Sequence, residues 1–66
     1  EIGDIVSLRN ISVSEFLGLD ENTQEDYHIH YGEVGVINWV DDDLARIGYV
    51  REAVEIPADL IEVLPE

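Results

Sequence analysis

Near its start the chain alternates, with Val6 and Leu8 interleaved with Ser7 and Arg9 behind Gly3, and this period of two predicts a half-buried strand over residues 3–9. From Asn10 to His30 the pattern degrades into polar and acidic residues, with Phe16, Leu17 and Leu19 around Gly18 as apolar anchors. A long loop is expected there, of the length that is usually functional or mobile. Within it Ser14–Leu17 can form one helical turn capped by Ser12 or Ser14. Order returns over residues 32–40, where β-branched and aromatic side chains dominate and Gly32 and Gly35 suggest a turn followed by a bulge or bend. Asp41–Asp43 break this strand, and residues 44–50 resume with Ala45, Ile47 and Tyr49 on one face, so residues 33–50 read as a β-hairpin. A further strand is expected at Ala53–Ile56. Pro57–Leu60 is too short for an α-helix and reads as a 3₁₀ turn, because Pro presets its first position. Ile61–Leu64 alternates once more before Pro65.

Five short strands, one long early loop and a helical turn before the last strand predict an all-β fold. The expected architecture is a single domain over residues 1–66, a five-stranded, partly open barrel. Gly3-Asp4-Ile5-Val6 and Gly32-Glu33-Val34-Gly35-Val36-Ile37 are similar to the opening and the glycine turn of the bacterial and KOW-like branch of SH3-like barrels. Residues 56–64 resemble the 3₁₀ turn and closing strand of that fold, so the likeness covers nearly the whole chain. It implies an SH3-like barrel with the acidic loop in the place of the RT loop. The tyrosine-rich opening and tryptophan pair of peptide-binding SH3 domains are missing, and the basic surface of RNA-contacting KOW domains is replaced by an acidic one. The resemblance therefore implies a fold rather than either activity.

Charge narrows the function. Sixteen Asp and Glu face three Arg and no Lys, a formal charge of −13. Such a chain repels a polyanion instead of releasing its counterions, which argues against DNA or RNA as partner, and the same field opposes docking on anionic membranes. It favours a basic protein partner, a cationic ligand or a divalent metal. An apolar content of 45% sits in the folded range, and the lack of Cys removes disulfides and thiolate metal sites. No apolar run approaches the length of a membrane span, so a cytoplasmic location is expected. A first residue of Glu1 suits a trimmed chain or a piece of a longer one.

The candidate chemistry is sparse. In an extended segment His28 and His30 share a face and are candidate metal ligands, joined by Glu25, Asp26 or Glu33. The alternative is a pair of ordinary edge-strand histidines, or a pair that responds to pH. Residues 20–26 place oxygen donors like the start of a calcium loop, but Glu25 and Tyr31 stand where an EF-hand needs Gly and Glu. Asp41–Asp43 suits a solvated hairpin tip. With no Cys, no Lys and no nucleophile, phosphate or dinucleotide motif, neither an enzyme nor a cofactor is expected. Tyr27, Tyr31, Trp39 and Tyr49 either fill the barrel or line a groove for a Lys- or Arg-bearing segment.

The resulting expectation is a non-catalytic protein-interaction module for a basic partner. Its contact residues would be Glu15, Asp20, Glu21, Glu25, Asp26, Tyr27, Tyr31 and Trp39. The alternatives are an accessory or regulatory subunit of a larger assembly, an electron-transfer complex being one example, and a metal- or pH-responsive regulator built on His28 and His30. Carboxylate repulsion opposes compaction, so added salt is expected to raise the melting temperature, read by circular dichroism. A flat or falling melting temperature contradicts this.

Overall fold

In the computed structural model, which describes residues 1–65, the chain is mainly β, with two α-helices and a short 3₁₀ turn. The strands are β1 (Ile5–Leu8), β2 (Gly35–Asp41), β3 (Leu44–Gly48), β4 (Ala53–Pro57) and β5 (Ile61–Val63). They form one antiparallel five-stranded sheet in the order β4-β3-β2-β1-β5. β4 and β5 lie at opposite edges of that order, yet only the 3₁₀ turn Ala58–Leu60 joins them. Three 3₁₀ residues rise about 6 Å, whereas four strand spacings of a flat sheet measure roughly 19 Å. The sheet must therefore curl until its edges approach. Ala58 N–H donates to the Asp43 carbonyl (2.8 Å) and Arg9 N–H to the Leu60 carbonyl (2.9 Å), which ties the turn down at both ends.

Alternation decides what the curl encloses. Val6 and Leu8, Ala45 and Ile47, and Val54 and Ile56 point inward, and with Ile37, Leu60 and Tyr27 they make the core. β2 breaks its period at a bulge between Ile37 and Trp39: Val36, before it, faces out, whereas Val40, after it, pairs with the inward-facing Ala45 yet stays exposed. Gly35 is inward-facing and buried. A Cβ there would collide with the Ile47 side chain and press on Tyr49, so the close approach of β2 to β3 requires glycine.

The segment between β1 and β2 is not the long loop expected from the sequence. It holds α1 (Val13–Leu17) and α2 (Glu21–His30). α1 is the turn anticipated at Ser14–Leu17, and Ser12 caps it by accepting from Glu15 N–H (3.1 Å). Gln24, from α2, donates to the Phe16 and Leu19 carbonyls at 3.1 Å each, tying α2 back to the end of α1 and setting the corner between the helices. α2 buries Thr23, Tyr27 and His30, spaced four and three residues apart on one helical face. Gly32, at φ 90°, turns the chain out of α2 toward β2.

The division between inward and outward faces is directly measurable. Ile47→Ala empties a fully buried position and is expected to cost about 2–5 kcal/mol in urea unfolding. Val36→Ala, one strand away but 43% exposed, is expected to stay within about 0.5 kcal/mol.

Candidate functional site

Two arrangements stand out, one on each side of α2. The first is a groove of about 370 Å³ between the β1–α1 connection and α2. Asn10, Ile11, Ser12 and Val13 form one bank, and Phe16, Tyr27, His28 and Tyr31 form the other bank and the floor. The aromatic rings follow one another, Phe16 to Tyr27 at 5.9 Å and Tyr27 to Tyr31 at 5.4 Å between centroids, all tilted. Tyr27 is buried, and its hydroxyl donates to the Arg9 carbonyl at 2.7 Å, which fixes the floor. Burial pushes its phenol pKa up. Tyr31 and Val13 are exposed at the lips. Among the described residues no carboxylate lines the groove.

Arg9 holds the frame beneath it. Its guanidinium pairs with Glu15 of α1 (2.6 Å) and donates to the Asp59 carbonyl in the 3₁₀ turn, so one side chain joins β1, α1 and the edge-to-edge connection.

The second arrangement surrounds His30, which is only 2% exposed. Its Nδ1 lies 2.8 Å from Glu33 Oε1 and its Nε2 lies 2.8 Å from Glu52 Oε2. An ionised carboxylate only accepts, so with both glutamates charged both ring nitrogens must donate and the ring is an imidazolium. Its plane stacks on Tyr49, with centroids 4.2 Å apart and planes 3° from parallel. Burial pulls the His30 pKa down, but hydrogen bonds to Glu33 and Glu52 and their charge outweigh it, leaving the pKa above the ordinary 6.5. Burial drives Tyr49 up to about 12, with the Glu33 charge adding to it, and its buried hydroxyl has no hydrogen-bond partner among the described residues. Asp26 is raised as well, by burial and then by the Glu52 charge.

These positions redistribute the residues anticipated from sequence. Phe16, Tyr27, Tyr31 and His28 come together at the groove. Glu15 does not offer a free charge, because it pairs with Arg9. Asp20 is the N-cap residue of α2 and accepts from the Thr23 hydroxyl at 2.5 Å, a bond that also lowers its pKa. Glu21 and Glu25 are exposed on α2 and Asp26 is half-buried toward the His30 cluster. Trp39 stands apart from the groove on β2, where the Arg46 guanidinium of the neighbouring strand lies 5.3 Å from its ring centroid. Tyr49 packs at the core margin and stacks on His30.

The metal pair needs correction. His28 and His30 lie in a helix, not an extended segment, so two residues' separation turns them about 200° apart. His28 is exposed at the groove and His30 is buried with both nitrogens occupied. Among the described residues no group of three or more His, Cys, Asp and Glu is placed to hold a metal ion. No helix among them is long and apolar enough to cross a membrane. Glu52, a partner of His30, carried no signal in the sequence as a site, nor did the bank Asn10–Val13. The spacing of Thr23, Tyr27 and His30 was the available clue to α2.

Zinc titration followed by NMR is expected to leave the His30 ring signals unmoved up to millimolar metal. A zinc-induced shift at both His28 and His30 would contradict the helical placement. Comparison with known proteins adds no relative: no family model, no curated protein and no solved structure matches this chain.

Proposed function

We propose that the chain is an SH3-like small barrel acting as a non-catalytic protein-interaction module, which receives a Lys- or Arg-bearing segment of a partner protein in the groove between the β1–α1 connection and α2. The observation that carries this reading is an aromatic groove of about 370 Å³ on a chain of charge −13. The strand order and the 3₁₀ connection between sheet edges support the SH3-like assignment. Recognition divides in two. The surplus of carboxylates, Glu21 and Glu25 on α2 among them, raises the encounter rate with a cation. The rings of Phe16 and Tyr31 then offer apolar contact to the aliphatic stem and π faces to the charged head.

A second reading, a resident subunit of a larger assembly, draws on a different surface. Ile5 and Val36 are direct cross-strand partners, and both are exposed on the outer face of the sheet, with Val34 exposed two residues before Val36. A complex that survives high salt favours that reading.

An alanine-based hexapeptide carrying two Arg is expected to shift the NMR signals of Val13, Phe16, Tyr27, His28 and Tyr31, and the same peptide with two Glu is expected to shift none. Tyr31→Ala should weaken the cationic peptide roughly three- to tenfold, and raising salt should weaken it further. Equal responses to both peptides, or shifts confined to other residues, overturn the proposal.

A further inference from the structure

The His30 cluster lies on the same helix as the groove, and this inference rests on reading the groove as the binding surface. We propose that the C-terminal turn of α2 is a proton-held latch: the His30 imidazolium, bridged between Glu33 and Glu52 and stacked on Tyr49, keeps that turn on the sheet, and loss of its proton releases it together with Tyr27 and Tyr31.

The geometry supplies the mechanism. Glu33 belongs to the turn after α2 and Glu52 to the β3–β4 connection, so the ring ties two separate parts of the chain through one group. A neutral imidazole has one N–H. Once the proton leaves, one nitrogen donates to its carboxylate and the other presents a lone pair to a carboxylate oxygen 2.8 Å away. The ring is nearly fully buried while Glu33 and Glu52 are half exposed, so the opposition is relieved by the ring and its carboxylate moving apart, which undoes the tie. All the charged and titratable groups around the ring bear on this balance. Asp26 approaches from the preceding turn of α2, Glu33 from the turn after it, and Tyr49, Arg51 and Glu52 from the β3–β4 connection. Tyr49 stays neutral until about pH 12, so it does not titrate with the imidazole. Tyr27 and Tyr31 sit three residues before and one after His30, so motion of this turn necessarily moves the groove's aromatic wall.

The sign follows from the raised His30 pKa. Stabilisation is complete below the unfolded value near 6.5 and disappears as pH rises through the higher folded value. The groove is thus intact in mildly acidic solution and loosens as pH rises through the raised His30 pKa.

Amide and imidazole NMR spectra of the whole chain from pH 5.5 to 9 test the latch without any ligand. The amides of residues 26–33 and 49–52 are expected to move with one midpoint above 6.5, shared with the His30 ring, while those of β1 and β2 stay fixed. Glu52→Gln removes one charge but keeps the shape, and is expected to shift that midpoint downward, an effect that loss of packing alone does not produce. A His30 midpoint at or below 6.5, a midpoint unchanged in Glu52→Gln, or amides of α2 that ignore pH would overturn the latch. The two-Arg hexapeptide, added at pH 6 and pH 9, separates the two ideas. Weaker binding at pH 9 supports the latch. Binding equal at both pH values overturns its control of the groove. Shifts outside the groove sink the reading of that surface, while the helix amides alone still decide for or against the latch.

Discussion

An imidazole withdrawn from water must be neutral or must be surrounded by acceptors, and His30 takes the second course between Glu33 and Glu52. The rest of the helical insertion depends on similar satisfaction. α2 turns toward the sheet a stripe of Thr23, Tyr27 and His30, three residues whose bodies gain from burial and whose polar tips lose by it. Thr23 reaches Asp20, Tyr27 reaches the Arg9 carbonyl and His30 reaches two carboxylates. Apolar contact is non-directional and would permit the helix to slide or rotate on the sheet. The hydrogen bonds of Tyr27 to the Arg9 carbonyl and of His30 to Glu52 do not, because they tie the helix to other parts of the chain, whereas the Thr23–Asp20 bond is internal to the start of α2.

The sheet imposes the complementary constraint. Its edges are joined by three residues, so β1, in the middle of the pairing between β2 and β5, has little freedom. Arg9 leaves the end of β1 and makes contacts with α1 and with the 3₁₀ turn, and its backbone carbonyl receives the Tyr27 hydroxyl. One residue therefore communicates the position of the curled sheet to both helices. Truncating the Arg9 side chain would remove the ion pair with Glu15 and the bond to the Asp59 carbonyl, untying α1 from the 3₁₀ turn, while the backbone carbonyl would still accept from Tyr27.

The strands were legible because their burial follows a period of two written in plainly apolar residues: Val6 and Leu8, Ala45 and Ile47, Val54 and Ile56. The 3₁₀ turn was legible from Pro57 and its length. The orientation of β2 was not, since the bulge between Ile37 and Trp39 reassigns faces without changing composition. α2 was hidden for a different reason. Its buried face consists of a threonine, a tyrosine and a histidine, so the helical period is present in burial and absent in hydropathy. Reading the segment as extended then put His28 and His30 on one face, where 3.6 residues per turn separates them. Half of the aromatic groove was visible, in Tyr27 and Tyr31. Trp39 was misplaced because its partner, Arg46, is brought beside it only by strand pairing. Glu52 lies 22 residues from His30, a distance across which no local pattern operates.

The scarcity of cations gives their placement weight. Arg9 is paired with Glu15, Arg46 lies against Trp39 and reaches Glu55 at 3.4 Å, and the imidazolium of His30 is enclosed by two glutamates. These three positive groups thus serve internal contacts, Arg51 stands exposed in the β3–β4 connection, and the field outside the molecule is dominated by the remaining carboxylates. Yet the groove itself is lined, among the described residues, without a carboxylate. Attraction and grip are consequently separable in space: the first acts over a distance near the Debye length, about 8 Å at physiological ionic strength, and the second only at contact. On the proposed reading, such a surface would draw cations from many directions and retain those whose stems fit against Phe16 and Tyr31. Selectivity would then reside in the aromatic wall, carried by the helix whose last turn includes His30.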